Sequence, residues 1–417
     1  MSNERTNFDA VPRNAPRLLV DRVFGPYFAV NTLASIGLWA HNVVAAVVAY
    51  QLTGSALMVG AVSIAQFTPQ LLFAPLAGAR ADRGNRVLQV ALARTTTAAG
   101  GLVLAVWIGL VGTEGLPGAW PVIGTAFVVG VGFAVGAPAM QAILPALVRP
   151  SELATAVALS QMPFTIARTV GPAVGALLLV TTGPALAFGI AAALNLAYAW
   201  VVTRLRLRAV DRTPRDDGSV RAGLRYLRTD PRALVLLLAV TATGFGVDPI
   251  LTLTPPVADR LGGGESTVGL LVSAFGAGAA LTAVVVGRVR RTFGTVRMGP
   301  AGMSLFAAGV VVLGVVQVTP VVVVGVLVAG VGLMLTITSL TTQLQERLPE
   351  HMRGRIMALW SVAFIGSRPL AAAINGTLAD HVAIELAVLL SGALLLAGAM
   401  ISRQPRGADQ PGERREI

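Results

Sequence analysis

Long apolar runs separated by short polar segments fill most of this chain. The first run covers Phe24–Leu52, and the next two, Ser55–Ala77 and Val87–Gly112, flank a short charged stretch. A run of about 18 or more apolar residues is long enough to cross the hydrocarbon core of a bilayer as a helix. The pattern predicts twelve spanning helices, the other nine at 121–141, 151–180, 184–203, 233–255, 267–287, 298–318, 320–343, 355–379 and 383–402.

The longest polar segment, residues 204–232, divides these runs into two sets of six. We therefore predict an N-terminal six-helix bundle at 24–203 and a C-terminal six-helix bundle at 233–402. The polar segment between them is predicted to be a cytoplasmic linker, helical in part. Polar tails at 1–23 and 403–417 are predicted to lie in the cytoplasm. The fold class is therefore an all-α membrane protein with twelve transmembrane helices in two bundles.

The two halves also resemble each other in sequence. At an offset of 200 positions, Ala158, Leu159, Phe164 and Arg168 correspond to Ala358, Leu359, Phe364 and Arg368. Internal repeats of several helices are typical of secondary transporters, in which one bundle rocks against the other around a substrate site. The repeat therefore favours a transporter.

Composition and charge placement support a membrane protein and exclude several function classes. The chain is 54% hydrophobic and 12% charged, against about 25% charged in soluble domains. All arginines except Arg168, Arg260 and Arg368 fall in the tails, the linker or loops on one side. This bias places both termini in the cytoplasm of a cell-membrane protein. The same bias explains the net charge of +12 without a nucleic-acid partner. Anionic lipid headgroups are the expected neighbours of these arginines.

The sequence contains few of the residues, and neither of two common motifs, that would indicate an enzyme. The chain has no Cys and only three dispersed His residues, and it lacks both a His-Glu-x-x-His motif and a phosphate-binding Walker loop. We therefore expect no enzyme activity, no cofactor, no metal site and no ATP-driven step. A non-transporting membrane receptor or secretion accessory is a further alternative. A folded soluble domain in the tails would favour it, and the sequence predicts none.

The charged stretch at residues 78–86 is predicted to form a tight cytoplasmic loop between the second and third helices. It resembles the loop signature of the major facilitator superfamily, and the matching residues are Gly78, Asp82, Arg83, Gly84 and Arg86. The resemblance implies a gating role for these residues. In that superfamily the loop docks on the start of the eleventh helix, which implies that Asp82 is a conformational latch near 353–358.

The fifth predicted helix carries Arg168, Gly171, Pro172 and Gly175. These residues resemble the antiporter motif of exporters in the same superfamily. Close packing against another helix is the alternative, since Gly and Pro are common in membrane helices and small residues let two backbones approach. Stretches within 132–177 and 349–359 also resemble the exporter branch that contains the enterobactin exporter and macrolide and multidrug efflux proteins.

Intramembrane acids and histidines are candidates for proton coupling. Asp248 lies well inside the seventh helix and His41 inside the first. A salt bridge or a position near the outer end is the alternative for Asp248, and a simple hydrogen bond is the alternative for His41. We further expect Arg168 to modulate Asp248 from the other bundle.

Four other polar side chains inside the predicted spans are candidates for lining a cavity: Asn31, Asn42, Arg168 and Arg368. An Arg at the centre of a membrane helix needs a partner or a water-filled cavity. Each Arg is therefore expected either to be clamped by backbone carbonyls or an acid, or to contact an anionic substrate or a gate.

These patterns predict a secondary exporter of small amphipathic molecules, drug-like or siderophore-like, that works by proton antiport with alternating access. A proton-coupled importer on the same fold is the alternative. The expected partners are a small-molecule substrate, protons and membrane lipids, and the expected state is a monomer.

Overall fold

The computed structural model describes residues 14–160, 162–205, 207 and 220–403, and these form helices joined by short connections. Residues 1–13 of the N-terminal tail, 206 and 208–219 of the predicted linker and 404–417 of the C-terminal tail lie outside the described residues. The helices are α1 (Ala15–Leu19), α2 (Phe24–Thr53), α3 (Ala56–Arg83), α4 (Arg86–Val111), α5 (Trp120–Leu147), α6 (Leu153–Ser160), α7 (Met162–Arg204), α8 (Val220–Thr229), α9 (Pro231–Thr252), α10 (Thr254–Arg260), α11 (Gly264–Phe293), α12 (Thr295–Val315), α13 (Thr319–Arg347), α14 (Glu350–His381) and α15 (Ile384–Ser402).

Eleven helical segments of the described chain are long and apolar enough to cross a membrane. One of them, Pro150–Arg204, contains two passes, because the backbone leaves the helix at Gly183 with φ 79°. Only glycine adopts such an angle without strain. The structure therefore has the twelve predicted spans, and we call α1–α7 the first half and α9–α15 the second half.

Within each half, neighbouring helices approach so closely that glycine is required at the crossing points. A Cβ atom at Gly130 of α5 would lie 2.1 Å from the Gln66 carbonyl oxygen of α3. In the second half, a Cβ atom at Gly278 of α11 would lie 2.0 Å from the Leu327 carbonyl oxygen of α13. Small residues take over the packing role that larger side chains have in soluble proteins.

The two halves meet along two helix pairs, α3 with α14 and α7 with α11. A Cβ atom at Gly60 of α3 would lie 2.6 Å from the Ala372 carbonyl oxygen of α14. On the same pair, a Cβ atom at Gly376 would lie 2.7 Å from the Leu57 Cα atom. These contacts hold the halves together at the end of the bundle where α2 ends and α3 begins, which we call the α2–α3 end.

The predicted loop at 78–86 is much shorter in the structure. Helix α3 continues through Arg83, and the Asn85 side chain caps α4 by accepting a hydrogen bond from the Leu88 N–H at 3.1 Å. Only Gly84 and Asn85 therefore separate the two helices. The prediction was wrong because a charged segment outside the bilayer continues the helix when its propensity allows it. The same holds for α5, which runs through Pro145 to Leu147.

The described end of the predicted linker is helical, as expected. Asp230 follows α8 and caps α9, accepting hydrogen bonds from the N–H groups of Arg232 at 3.1 Å and Ala233 at 3.2 Å. Its carboxylate also pairs with Arg347 Nε at 2.6 Å, at the end of α13. An acid at a helix N-terminus is stabilised by the free N–H groups and the helix dipole. The junction between α8 and the second half is therefore well ordered.

Candidate functional site

Asp248 lies at the centre of a buried polar network in the second half. Its side chain is on α9 and the residue is 1% exposed. One carboxylate oxygen accepts a hydrogen bond from Asn375 Nδ2 at 2.9 Å, and the other accepts one from Thr252 Oγ1 at 2.9 Å. Both donors are neutral, and among the described residues no cation forms an ion pair with the carboxylate.

The network continues to a third helix and fixes the orientation of its amide. Ser391 of α15 donates its hydroxyl proton to Asn375 Oδ1 at 3.1 Å. Because the amide oxygen of Asn375 accepts this hydrogen bond, its amide nitrogen faces Asp248. Hydrogen bonds donated to a carboxylate stabilise its charged form. The sequence pointed to Asp248 but not to Asn375 or Ser391, because neutral polar residues in membrane helices carry no distinctive signal.

Arg368 connects the two halves through an aromatic ring. It is buried on α14, and its Cζ atom lies 4.2 Å from the centre of the Phe67 ring on α3. A desolvated cation–π contact of this kind is worth about 2 kcal/mol. Arg368 therefore contacts the Phe67 ring, where backbone carbonyls or an acid were expected. Asp248 and Arg368 act on each other electrostatically without direct contact.

Arg168 is the least engaged of the intramembrane arginines. It lies halfway between Leu153 and Gly183 and is half-buried. Its one polar contact among the described residues joins Nη2 to the Met334 sulfur of α13 at 3.9 Å. The expected influence of Arg168 on Asp248 stays a prediction, and Arg168 interacts electrostatically with Arg368. Arg368 is the arginine whose charge acts on that carboxylate.

His41 is buried inside the first half, far from the network around Asp248 in the fold. Its ring packs edge-on against Phe188 at 4.9 Å, and its Nε2 atom has no hydrogen-bond partner among the described residues. A small cavity beside it is also lined by Thr97 and Asn195. His41 and Asp248 therefore belong to two separate polar sites.

Asn42, one of the candidate cavity residues, lies at a cavity between the two halves. Its Oδ1 atom accepts a hydrogen bond from Gln66 Nε2 at 2.8 Å. The same cavity receives Phe67 and Ser63 from α3, and second-half residues line its opposite side, namely Leu251, Thr254, Pro255, Val268 and Val272. Its lining is uncharged.

Arg94 is a buried arginine that the sequence analysis assigned to the side of the charged loops. It is 6% exposed, and its Cζ atom lies 4.3 Å from the centre of the Tyr198 ring. Its guanidinium also donates to Asn195 Oδ1 at 3.2 Å and to Asn31 Oδ1 at 3.4 Å. Arg94 follows the first residue of α4 by eight positions, which places it about 12 Å along the helix. Asn31 thus accepts a hydrogen bond from Arg94, and its role as a cavity residue stays a prediction.

The antiporter-like motif packs α7 against α2 within the first half. A Cβ atom at Gly171 would lie 2.5 Å from the Trp39 Cβ atom, and one at Gly175 would lie 2.7 Å from the Ala40 Cα atom. Pro172 lies between them on the same helix. These distances account for the two glycines through helix packing, and the motif's role in antiport stays a prediction.

Arg86, in the gating motif, ties three helices together. It donates from Nε to the Ala81 carbonyl oxygen at 3.1 Å and from Nη1 to the Ala142 carbonyl oxygen at 3.1 Å. The side chains of Asp82 and Arg83 lie outside the described residues. The docking of Asp82 on the start of α14 therefore stays a prediction.

A carboxylate from one half caps a helix of the other half at the α2–α3 end. Asp380 of α14 accepts hydrogen bonds from the N–H groups of Ala56 at 2.8 Å and Leu57 at 3.1 Å, and from the Ser55 hydroxyl. Nearby, Gln51 of α2 donates to Glu265 of α11. The sequence analysis did not single out Asp380.

A sequence signal for Asp380 does exist. Gly376 and Asp380 repeat the spacing of Gly78 and Asp82, and each acid is the last but one residue of its helix. α3 and α14 run antiparallel side by side, and Asp380 lies beside the N-terminus of α3. The contact seen for Asp380 is thus the counterpart, at the opposite end, of the docking predicted for Asp82.

The chain from residue 15 to residue 409 matches the family described as "Transmembrane secretion effector". It is a member of this family of the major facilitator superfamily. This membership confirms the resemblance seen in the sequence, and the twelve-helix architecture agrees with it.

Curated relatives of this family member include named exporters. The enterobactin exporter EntS of Shigella flexneri is 28% identical over 365 residues, which cover 84% of this chain and 80% of the relative. Macrolide efflux protein A of Streptococcus pyogenes is 24% identical over 359 residues, which cover 84% and 87%.

Solved structures agree on the fold. An auto-inhibited POT family peptide transporter superposes with a TM-score of 0.74 at 14% identity, covering 92% of this chain and 96% of the other. A D-xylose–proton symporter superposes with a TM-score of 0.71 at 14% identity, covering 91% and 97%. This protein is therefore a multi-pass membrane transporter of the major facilitator type.

Proposed function

We propose that this protein is a secondary exporter of small amphipathic molecules that exchanges them for protons by alternating access. It resides in the cytoplasmic membrane, has both termini inside and acts as a monomer. The observation that carries the proposal is the buried carboxylate of Asp248, held by neutral donors in the span of α9. The two curated exporters among its relatives support the direction.

The network around Asp248 offers a physical way to couple a proton to movement. Hydrogen bonds to a charged acceptor are roughly twice as strong as neutral ones. Protonating Asp248 therefore weakens its ties to Asn375 on α14 and to Thr252. It also removes the negative charge that attracts Arg368, whose ring contact with Phe67 crosses to the other half. One proton thus changes the contacts among α9, α14 and α3.

We expect Asp248→Asn to uncouple transport from the proton gradient. Asn keeps the size of the side chain but cannot exchange a proton at this position. In proteoliposomes loaded with a macrolide or with enterobactin, downhill exchange should stay within about threefold of wild type. Transport driven by an imposed pH gradient should fall at least about tenfold, which corresponds to ~1.4 kcal/mol of coupling. Asp259→Asn, at an exposed acid near the end of α10, is the matched control.

Undiminished proton-driven transport by Asp248→Asn would remove Asp248 from the mechanism and direct attention to His41. The direction of coupling separates the exporter from the alternative importer. Antiport moves substrate against the proton flow, whereas an importer moves both the same way. Binding of substrate without any transport would favour the receptor.

The membrane orientation can be tested at the two ends of one helix. Gly263 is a poor place for a thiol label, because a Cβ atom there would lie 1.8 Å from Thr267 Oγ1. Ser266 and Thr292 are exposed near the start and the end of α11, and the protein has no native Cys. In intact cells, an impermeant thiol reagent should label Ser266→Cys but not Thr292→Cys. The reverse pattern would invert the proposed topology.

A further inference from the structure

Arg168 carries more hydrogen-bonding capacity than the described residues around it use. A guanidinium has five N–H donors, and within the described part of the chain the only polar contact of Arg168 is a long one to the Met334 sulfur. Two other intramembrane arginines, Arg94 and Arg368, make different contacts. Arg94 bonds two amides and covers a tyrosine ring, and Arg368 covers Phe67. An intramembrane arginine left this free must face a water-filled space or a ligand.

The position of Arg168 is between the two halves. Met334 belongs to the second half, so its contact with Arg168 crosses the interface where alternating access opens and closes a path. Phe164 precedes Arg168 by one helical turn, is 49% exposed and packs edge-on against Trp39 at 6.0 Å. Residues four apart lie on the same face of a helix. The guanidinium is therefore next to an exposed aromatic ring and a flexible thioether.

No acidic side chain of the described chain offsets the charge of Arg168. The two ion pairs found there, Arg260–Glu385 and Arg347–Asp230, lie elsewhere. Asp248 acts electrostatically on Arg368, and Arg368 interacts with Arg168 as a like charge, which offsets nothing. The site thus presents a positive charge, unused donors and an apolar surface together.

We infer that Arg168 binds the anionic group of the transported molecule, and that Phe164 and Met334 contact its apolar body. The substrate class is an amphipathic organic anion, such as a carboxylate or a sulfonate on an aromatic or aliphatic body. Planar guanidinium groups suit such oxyanions, since two parallel N–H donors match two oxygens. This inference rests on the proposed function. Because Asp248 lies in the other half and reaches Arg168 only through Arg368, proton and anion are coupled through Arg368 and the movement of the halves.

Two fluorescent probes that differ mainly in charge test this site directly. 1-Anilinonaphthalene-8-sulfonate is anionic, and N-phenyl-1-naphthylamine has the same ring system without the sulfonate. Binding of each is measured to protein in nanodiscs, with empty nanodiscs subtracted. Arg168→Gln should weaken binding of the sulfonate at least about tenfold and binding of the amine less than about twofold, since a charge-assisted bond is lost. Arg168→Lys should restore part of the sulfonate affinity.

Two controls keep the result interpretable. Arg297→Gln removes an exposed arginine near the start of α12 and should leave both affinities unchanged. Phe164→Leu should weaken both probes, because it shrinks the apolar surface without changing charge. Equal weakening of both probes by Arg168→Gln would assign Arg168 to packing or gating and overturn the inference. Unchanged sulfonate binding would overturn it too.

The test separates this inference from the proposed function. Probe binding at equilibrium needs neither a proton gradient nor turnover. Proton antiport without sulfonate selectivity at Arg168 would support the proposed function and overturn the anion site. Sulfonate selectivity without proton-driven transport would support the anion site and overturn the antiporter.

Discussion

Asp380→Ala is expected to open the α2–α3 end of the protein. The substitution removes a carboxylate that accepts from two backbone N–H groups and one hydroxyl of the other half. Hydrogen bonds to charged groups contribute about 1.5–3 kcal/mol each when buried, and the exposure of Asp380 reduces this by screening. We expect the equilibrium to shift about tenfold toward the open state, or ~1.4 kcal/mol. Transport should slow because the closed state is populated less.

Spin labels on Cys residues at Glu114 and Ser266 report on this end directly. Glu114 lies in the first half and Ser266 in the second, and both are exposed beyond their helices or in a first turn. In nanodiscs, wild type should give mainly one short distance, and Asp380→Ala should add a longer one. Ser55→Ala, which leaves the backbone contacts in place, should have a smaller effect. Asp259→Ala is the control for loss of an acid at the same end.

An unchanged distance distribution for Asp380→Ala would mean that the packing of α3 on α14 alone closes this end. Glycines at positions 60 and 376 make that packing close. In that event Asp380 would only cap the helix, and its removal would lower the unfolding temperature without altering transport.

Arg94→Met is expected to destabilise the first half strongly. The substitution keeps much of the apolar length of the side chain but removes its charge and its donors. The lost cation–π contact with Tyr198 is worth about 2 kcal/mol when desolvated, and hydrogen bonds within membranes average about 0.6 kcal/mol each. Asn195 and Asn31 would also lose their donor. We expect a total loss of about 2–4 kcal/mol.

Thermal unfolding in nanodiscs measures this loss. Arg94→Met should lower the unfolding temperature by several degrees, and Arg94→Lys by less, because Lys keeps the charge but cannot reach two amides at once. Arg297→Met makes the same chemical change at an exposed site near the start of α12 and should be neutral. A neutral Arg94→Met would show that the amides find other partners and that Arg94 is dispensable for stability.

These contacts indicate which helices close each end of the protein in the proposed cycle. Asp380 joins α14 to α3 at one end, and Asp82 is predicted to join α3 to α14 at the other. Only one end can be closed tightly while the other opens, if the halves rock about their interface. Arg368 and Phe67 lie on the same helix pair, so the charge on Asp248 acts on the interface that moves.

Sequence alone determined the architecture of this protein. Apolar runs of bilayer length, the polar segment between two sets of six, and the charged motif at 78–86 predicted a twelve-helix transporter of the major facilitator type. The sequence allows this prediction because each span must form its backbone hydrogen bonds within itself and must present apolar side chains to lipid. Asp248 could also be singled out, since an acid within a span is rare.

Only the tertiary structure decided which side chains meet. Whether a polar residue in a helix faces lipid, a neighbour or a cavity depends on how the helix is rotated and which helix lies beside it. Asn375 meets both Asp248 and Ser391 in this way, and Phe67 meets Arg368. Arg94 is buried because α4 begins at Arg86 and carries it inside the bundle. Asp380 caps a helix of the other half because α14 runs antiparallel to α3. Such contacts join residues 16 to more than 300 positions apart, which is a separation that no local pattern of hydrophobicity encodes.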